Sequence, residues 1–148
     1  TMSLHPFHVA VPVHDLEAAR SFYAGLLGCD EGRSDATWVD FNLYGHQFVC
    51  HLADDHDLTA RTHNPVDGNQ VPVPHYGVVL DMESWEQLVG CLRDAAAKFI
   101  VAPGVRFPGQ PGEQATFFIA DPSGNVLEFK SMRDPRNLFA RQTNASAS

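Results

Sequence analysis

Apolar and polar positions alternate through His5-Pro6-Phe7-His8-Val9-Ala10-Val11-Pro12-Val13, which predicts a strand with Val9, Val11 and Val13 on one face and His8, Ala10 and Pro12 on the other. The period then changes. Asp15 stands where a helix cap belongs, and Leu16, Ala19, Phe22, Tyr23, Leu26 and Leu27 recur at helical spacing until Gly28 offers a stop. Extended patterns follow: a short one within 29–34, a stronger one over 37–43, and, through the turn Tyr44-Gly45-His46, a third over 47–53. Residues 54–74 are polar, contain three prolines and show no period, so they predict a long loop or hinge.

The pattern then restarts. Residues 74–80 predict a strand, and Ser84-Trp85-Glu86-Gln87 has the form of a capping box opening a helix that runs to about 98. A strand over 99–106, broken at Pro103-Gly104, leads to a loop over 107–113. Two apolar runs within 114–132 then flank the turn formers Asp121-Pro122-Ser123-Gly124-Asn125, a hairpin pattern. From 133 the tail predicts a helical turn and then fraying. Each half therefore reads strand, helix, three strands. The segment His8-Val9-Ala10-Val11-Pro12-Val13 lines up without a gap on His75-Tyr76-Gly77-Val78-Val79-Leu80, and such a repeat decides the fold expectation. That expectation is α+β: two βαβββ modules forming a curved, mostly antiparallel cupped sheet with helices outside. It forms a single domain over 1–148, with module one at 5–53, a linker at 54–74, module two at 75–132 and a tail at 133–148.

Alternation also assigns faces. Val9, Val11 and Val13, then Tyr76, Val78 and Leu80, then Leu127 and Phe129 form the apolar, helix-facing sets, so His8, His75 and Glu128 point the other way. An unpaired buried carboxylate is unfavourable by several kcal/mol, so Glu128 in mid-strand is either at an edge or held for a purpose.

Composition narrows the chemistry. With 44% hydrophobic and 19% charged residues the chain is globular, and a net charge of −8 argues against nucleic acid or an anionic membrane surface as a partner. Three cysteines without metal-like or disulfide-like spacing predict reduced thiols and a cytoplasmic setting. No stretch has the length of a membrane span, and no basic-then-apolar signal pattern opens the sequence. Eight histidines in so acidic a chain invite attention. Of these, His5, His14, His56 and His63 fall at termini or in loops and are given no role.

The repeated strand-initial histidine and the run Asp121-Pro122-Ser123-Gly124-Asn125-Val126-Leu127-Glu128 resemble the vicinal oxygen chelate superfamily of glyoxalases, bleomycin-resistance proteins and extradiol dioxygenases. The likeness extends over 5–132 and is nearest in flavour to small extradiol-dioxygenase-like proteins. It implies that His8, His75 and Glu128 hold a divalent metal ion, Fe(II) first, with Mn, Zn or Ni as alternatives. The residue types suit that role, since two imidazoles and a carboxylate on one face of an ion leave adjacent positions open for vicinal substrate oxygens and O2. His51 corresponds either to a fourth ligand, as in glyoxalase relatives, or to a residue near the ligands. Aligning Gly45 with Gly124 sets Val49 rather than His51 opposite Glu128. His46 resembles the proton-transfer histidine of extradiol enzymes, although a turn histidine also serves as a plain solvated residue. Phe118 stands where ring-cleaving relatives carry a tyrosine; it either packs on substrate or belongs to the core. The expected function is an Fe(II) extradiol-type dioxygenase acting on a small vicinal-diol substrate with O2. The alternatives are a glyoxalase-type lyase or isomerase with Zn or Ni, and a metal-free small-molecule binding protein. A homodimer is expected, because modules of this superfamily pair and because open sheet edges favour association.

Overall fold

A computed structural model of the chain describes residues 4–54, 62–66 and 68–141. Among them the elements run β1 (His8–Val13), α1 (Leu16–Arg20, continuing as a wider π-helical stretch over Ser21–Leu26), β2 (Asp30–Asp35), β3 (Trp38–Leu43), β4 (His46–Leu52), β5 (Thr62–Val66), β6 (Asn69–Val73), β7 (Tyr76–Val79), α2 (Met82–Asp94), β8 (Phe99–Arg106), β9 (Gln114–Ala120) and β10 (Val126–Met132). They fall into two compact units. The first holds β1 to β4 with the turn Asp121–Asn125, and the second holds β5 to β10.

In the first unit β1 runs parallel to β4, and the sheet order is β1-β4-β3-β2 with the remaining neighbours antiparallel. Pro12 is accommodated because β1 is an edge strand, where a missing N–H breaks no central ladder. Asp15 caps α1, its carboxylate accepting from Ala18 N–H at 3.0 Å, and Gly28 follows the helical stretch at φ +74°. The helical stretch turns Tyr23 inward, where its ring lies 5.3 Å from Phe41 and 4.9 Å from Phe48. Its hydroxyl donates to Asp121 Oδ2 at 2.8 Å. Burial, together with Asp121 nearby, raises the tyrosine's titration well above the ordinary phenol range. Burial likewise pushes the Cys29 thiol up to about 11.

The second unit repeats the topology as β7-β10-β9-β8, with β7 parallel to β10. The α+β reading with two βαβββ modules is therefore correct, and the matching sheet orders show why the two halves of the sequence align. Leu127 and Phe129 are fully buried, Phe117 packs 5.6 Å from Phe129, and Trp85 Nε1 donates to the Phe129 carbonyl at 2.9 Å.

Four expectations about elements are corrected. Residues 54–74 are not a featureless loop: β5 and β6 pair as an antiparallel ribbon with Asn64 opposite Val71, while 55–61, including His56, and 67 lie outside the described residues. Their prolines masked the pattern, yet a two-stranded ribbon has only edge positions, which tolerate proline. Asp81 rather than Ser84 caps α2, accepting from Ser84 N–H at 2.8 Å and from the Ser84 hydroxyl at 2.9 Å, so Ser84 is the third helical residue and donates to the cap. The helix stops at Asp94 instead of about 98, because Ala96 takes φ +56°, a left-handed conformation that ends the helical path without a glycine to announce it. Pro103-Gly104 does not break β8; the ladder to β9 shifts register between Val101 and Gly104, a bulge on an edge strand.

Candidate functional site

The final hairpin fixes Glu128 by register. The turn at Asp121 is tied by Ser123 N–H and Asn125 N–H donating to Asp121 Oδ1 at 2.9 and 2.8 Å, which sets Glu128 opposite Phe118 and Lys130 opposite Thr116. On the other side β7 places Gly77 beside Glu128, with His75 entering just before the strand. His75 Nε2 lies 3.3 Å from Glu128 Oε1, and the Thr116 hydroxyl donates to Glu128 Oε2. The other imidazole nitrogen is also held. His75 Nδ1 is 2.7 Å from the Pro72 carbonyl oxygen, which only accepts, so Nδ1 carries a hydrogen and Nε2 is the atom turned to the carboxylate.

The electrostatics follow from this contact. The hydrogen bond to Glu128 raises the titration of His75 against the opposing effect of burial. Burial pushes the Glu128 carboxyl up, but the hydrogen bonds from His75 and Thr116 outweigh it and the net direction is downward. The two shifts run in opposite directions, as expected where an imidazole and a carboxylate each favour the other's charged form.

His8, in the first unit, is exposed at the start of β1 beside Gln47 of β4. Its Nδ1 lies 2.8 Å from Gln47 Oε1, again an atom that only accepts, so His8 shows the same disposition as His75, with Nδ1–H engaged and Nε2 unprotonated in the neutral ring. Gln47 Nε2 in turn donates to Asp40 Oδ2 at 3.0 Å. Among the described residues no group of three or more His, Cys, Asp or Glu side chains is gathered as a metal site. Of the three sequence candidates, the structure brings His75 and Glu128 together, and His8 belongs to the other unit.

The remaining candidates are placed as follows. Register puts Ala10 beside Val49 in the first unit and Gly77 beside Glu128 in the second, so Val49 is the counterpart of Glu128, and His51 lies two residues further along β4, exposed. Val49 is 5% exposed and offers no ligand atom. His46 Nδ1 accepts from Phe7 N–H at 2.9 Å, which leaves the His46 proton on Nε2. Phe118 is 2% exposed, packs with Val71 and Val126, and meets the His75 ring edge-on at 5.0 Å between centroids. It supports the histidine's position from within the core.

Sequence reasoning missed four partners: Thr116, the Pro72 carbonyl, Gln47 and Asp40. Thr116 was within reach, since counting back from the Asp121 turn sets it diagonally across from Glu128. The Pro72 carbonyl was not, because the segment carrying it had no readable period.

The sequence profile of the Glyoxalase/Bleomycin resistance protein/Dioxygenase superfamily matches residues 5–129. Comparison with curated proteins gives no match. Among solved structures, a glyoxalase/bleomycin resistance protein/dioxygenase from Alicyclobacillus acidocaldarius is 32% identical, covering 91% of this chain and 96% of its own, with a TM-score of 0.75. The genomically encoded fosfomycin resistance protein FosX from Listeria monocytogenes is 17% identical over 92% of this chain and 98% of its own, at TM-score 0.64. Lactoylglutathione lyase from Agrobacterium tumefaciens is 15% identical over 95% and 100%, at TM-score 0.60; these last two show the fold alone. No helix among the described residues is long and apolar enough to cross a membrane. Repeated modules of one topology, a histidine against a glutamate on the second module's parallel strand pair, and a profile match across both modules lead to one assignment: the chain belongs to the glyoxalase/bleomycin resistance protein/dioxygenase superfamily.

Proposed function

We propose that this protein is a metal-dependent enzyme of the extradiol dioxygenase type, acting with O2 on a small vicinal-diol substrate, with His8, His75 and Glu128 as ligands of a divalent ion, Fe(II) in preference to Mn, Zn or Ni. The observation that carries the reading is the hold on His75 and Glu128: Nε2 and Oε1 face each other at 3.3 Å, while Pro72 and Thr116 engage the far side of each group. Ligand histidines are fixed in this way, the second nitrogen donating to an oxygen so that the first keeps a lone pair for the ion. His8 has the same disposition through Gln47. The donor set therefore fits a divalent cation in its chemistry. When bound, such an ion supplies the Lewis acidity that chelates two neighbouring substrate oxygens and, as Fe(II), redox capacity toward O2.

The chain's own groups do the rest. Val49 at the position matching Glu128 favours a set of three protein ligands, which keeps places open for substrate and O2, over the four-ligand glyoxalase arrangement. His46 holds its proton on Nε2 and is the proposed proton donor, with His51 as the other candidate shuttle. One observation favours the lyase reading instead: Phe118 lacks the hydroxyl that a tyrosine would offer to substrate, and its ring is buried.

The test is metal analysis of protein purified anaerobically without a chelating tag, followed by O2 uptake over a panel of vicinal diols. Stoichiometric iron and diol-dependent uptake, both lost in His75→Ala, are expected. Stoichiometric zinc or nickel with turnover of a hemithioacetal would transfer the case to the lyase. Absence of retained metal, with a thermal midpoint unchanged by EDTA, would sink both readings, because a ligand that binds only the folded state stabilises it by mass action.

A further inference from the structure

Asp40 is a carboxylate at 7% exposure in the middle of β3, and among the described residues its Oδ1 has no hydrogen-bond partner. As a stabilising device this makes little sense, since a buried charge without a cation and with one bare oxygen is unfavourable. The backbone makes room for it all the same. A β-carbon at Gly32 of β2 would stand 2.2 Å from Asp40 Oδ1, so only glycine leaves the carboxylate in that position. Its other oxygen, Oδ2, takes the amide nitrogen of Gln47 at 3.0 Å, and Gln47 Oε1 lies 2.8 Å from His8 Nδ1.

This order of atoms has a direction. A glutamine amide is nearly symmetric in shape and, left alone, offers either its oxygen or its nitrogen to a neighbour. A carboxylate only accepts, so Asp40 forces the Gln47 nitrogen toward itself and the oxygen toward His8. That oxygen also only accepts, so His8 must protonate Nδ1 and bare Nε2. With the amide reversed, its N–H₂ would face Nδ1 and draw the ring into the opposite tautomer, whose Nε2 carries hydrogen and cannot ligate.

We propose that Asp40 and Gln47 are positioning residues for His8, a relay in which a buried carboxylate fixes the orientation of an amide and thereby the tautomer of a metal-ligand imidazole. The proposal rests on the reading of His8 as a ligand. In the second unit the Pro72 carbonyl serves the same end for His75 without needing a relay, because a backbone carbonyl has no orientation to choose.

The experiment uses three variants, Gln47→Leu, Asp40→Asn and His8→Ala, in the full chain. Affinity for Co(II) and Zn(II) is measured by competition with a chromophoric chelator. The His8 ring nitrogens of the metal-free protein are followed by 15N NMR, and its thermal midpoint is recorded. The relay requires that Gln47→Leu and the isosteric Asp40→Asn weaken metal binding by about 10–100-fold, the usual effect of losing an outer partner of a ligand. Both must also shift the His8 spectrum away from the Nδ1–H form. A purely structural tie between β1 and β4 would lower the thermal midpoint and leave the tautomer as it was, which overturns the proposal. So does unchanged metal affinity in both variants when His8→Ala abolishes binding. If His8→Ala itself leaves affinity unchanged, the ligand assignment fails, and the NMR arm then shows separately whether Asp40 sets the tautomer.

Discussion

Gly77 lies so close to the strand carrying Glu128 that a β-carbon there would stand 1.5 Å from the Glu128 carbonyl oxygen. The obstacle is backbone, which cannot swing aside as a side chain would. Gly77→Ala must therefore push β7 away from β10, and with it His75 from Glu128. We expect a loss of about 1–3 kcal/mol in urea denaturation, the range for forcing extra atoms into a packed site, together with weakened metal binding. Wild-type stability and affinity in that variant would contradict the account. The matching position in the first module is Ala10, beside Val49. The repeat read from the sequence thus hides a difference in backbone approach that only coordinates reveal. What alternation did disclose is the facing of His75 and Glu128, because a strand offers only two faces and one was plainly apolar. Partners such as Asp40 and Gln47 stayed hidden, since they meet across strands and depend on register.

Among the elements, α2 shows how two plausible caps compete. Asp81 and Ser84 both suit a helix start, and the structure uses Asp81 as acceptor and Ser84 as donor to it. Hydrogen bonds from the backbone and hydroxyl of Ser84 hold the Asp81 carboxyl below its ordinary 3.8. Because the folded value is depressed, the cap's contribution is present above the unfolded value and is lost as pH falls through the folded one. Asp81→Ala is expected to lower the thermal midpoint by roughly 3–5 °C at neutral pH. The gap to wild type should close on acidification below the ordinary aspartate range; a pH-independent gap would exclude this origin. The elements β1 and α1 were legible because burial on one face stamps a period on the sequence, while β4 and the β9–β10 hairpin showed as apolar runs beside turn formers, their central residues being buried on both faces in β4 and β9. The β5–β6 ribbon was not legible. Its strand Thr62–Val66 is exposed throughout, so no alternation is imposed, and yet the segment supplies the Pro72 carbonyl and buries Val71 against Phe118.

For the whole molecule, the proposed homodimer is the property most open to measurement. Each four-stranded sheet ends in edge strands, β1 and β2 in one unit, β7 and β8 in the other, and sheet edges favour association. Light scattering at micromolar concentration should return twice the chain mass; a monomer would refute the association. The net charge of −8 argues against a polyanionic partner. Residues Asp121–Asn125 join β9 to β10 of the second unit but are counted with the first, where Asp121 receives the Tyr23 hydroxyl and Asn125 Nδ2 donates to the Pro12 carbonyl at 2.7 Å. A chain truncated at the boundary between the repeats would thus leave a phenol sealed in the interior with nothing to bond, a penalty of about 1–3 kcal/mol before any packing is lost.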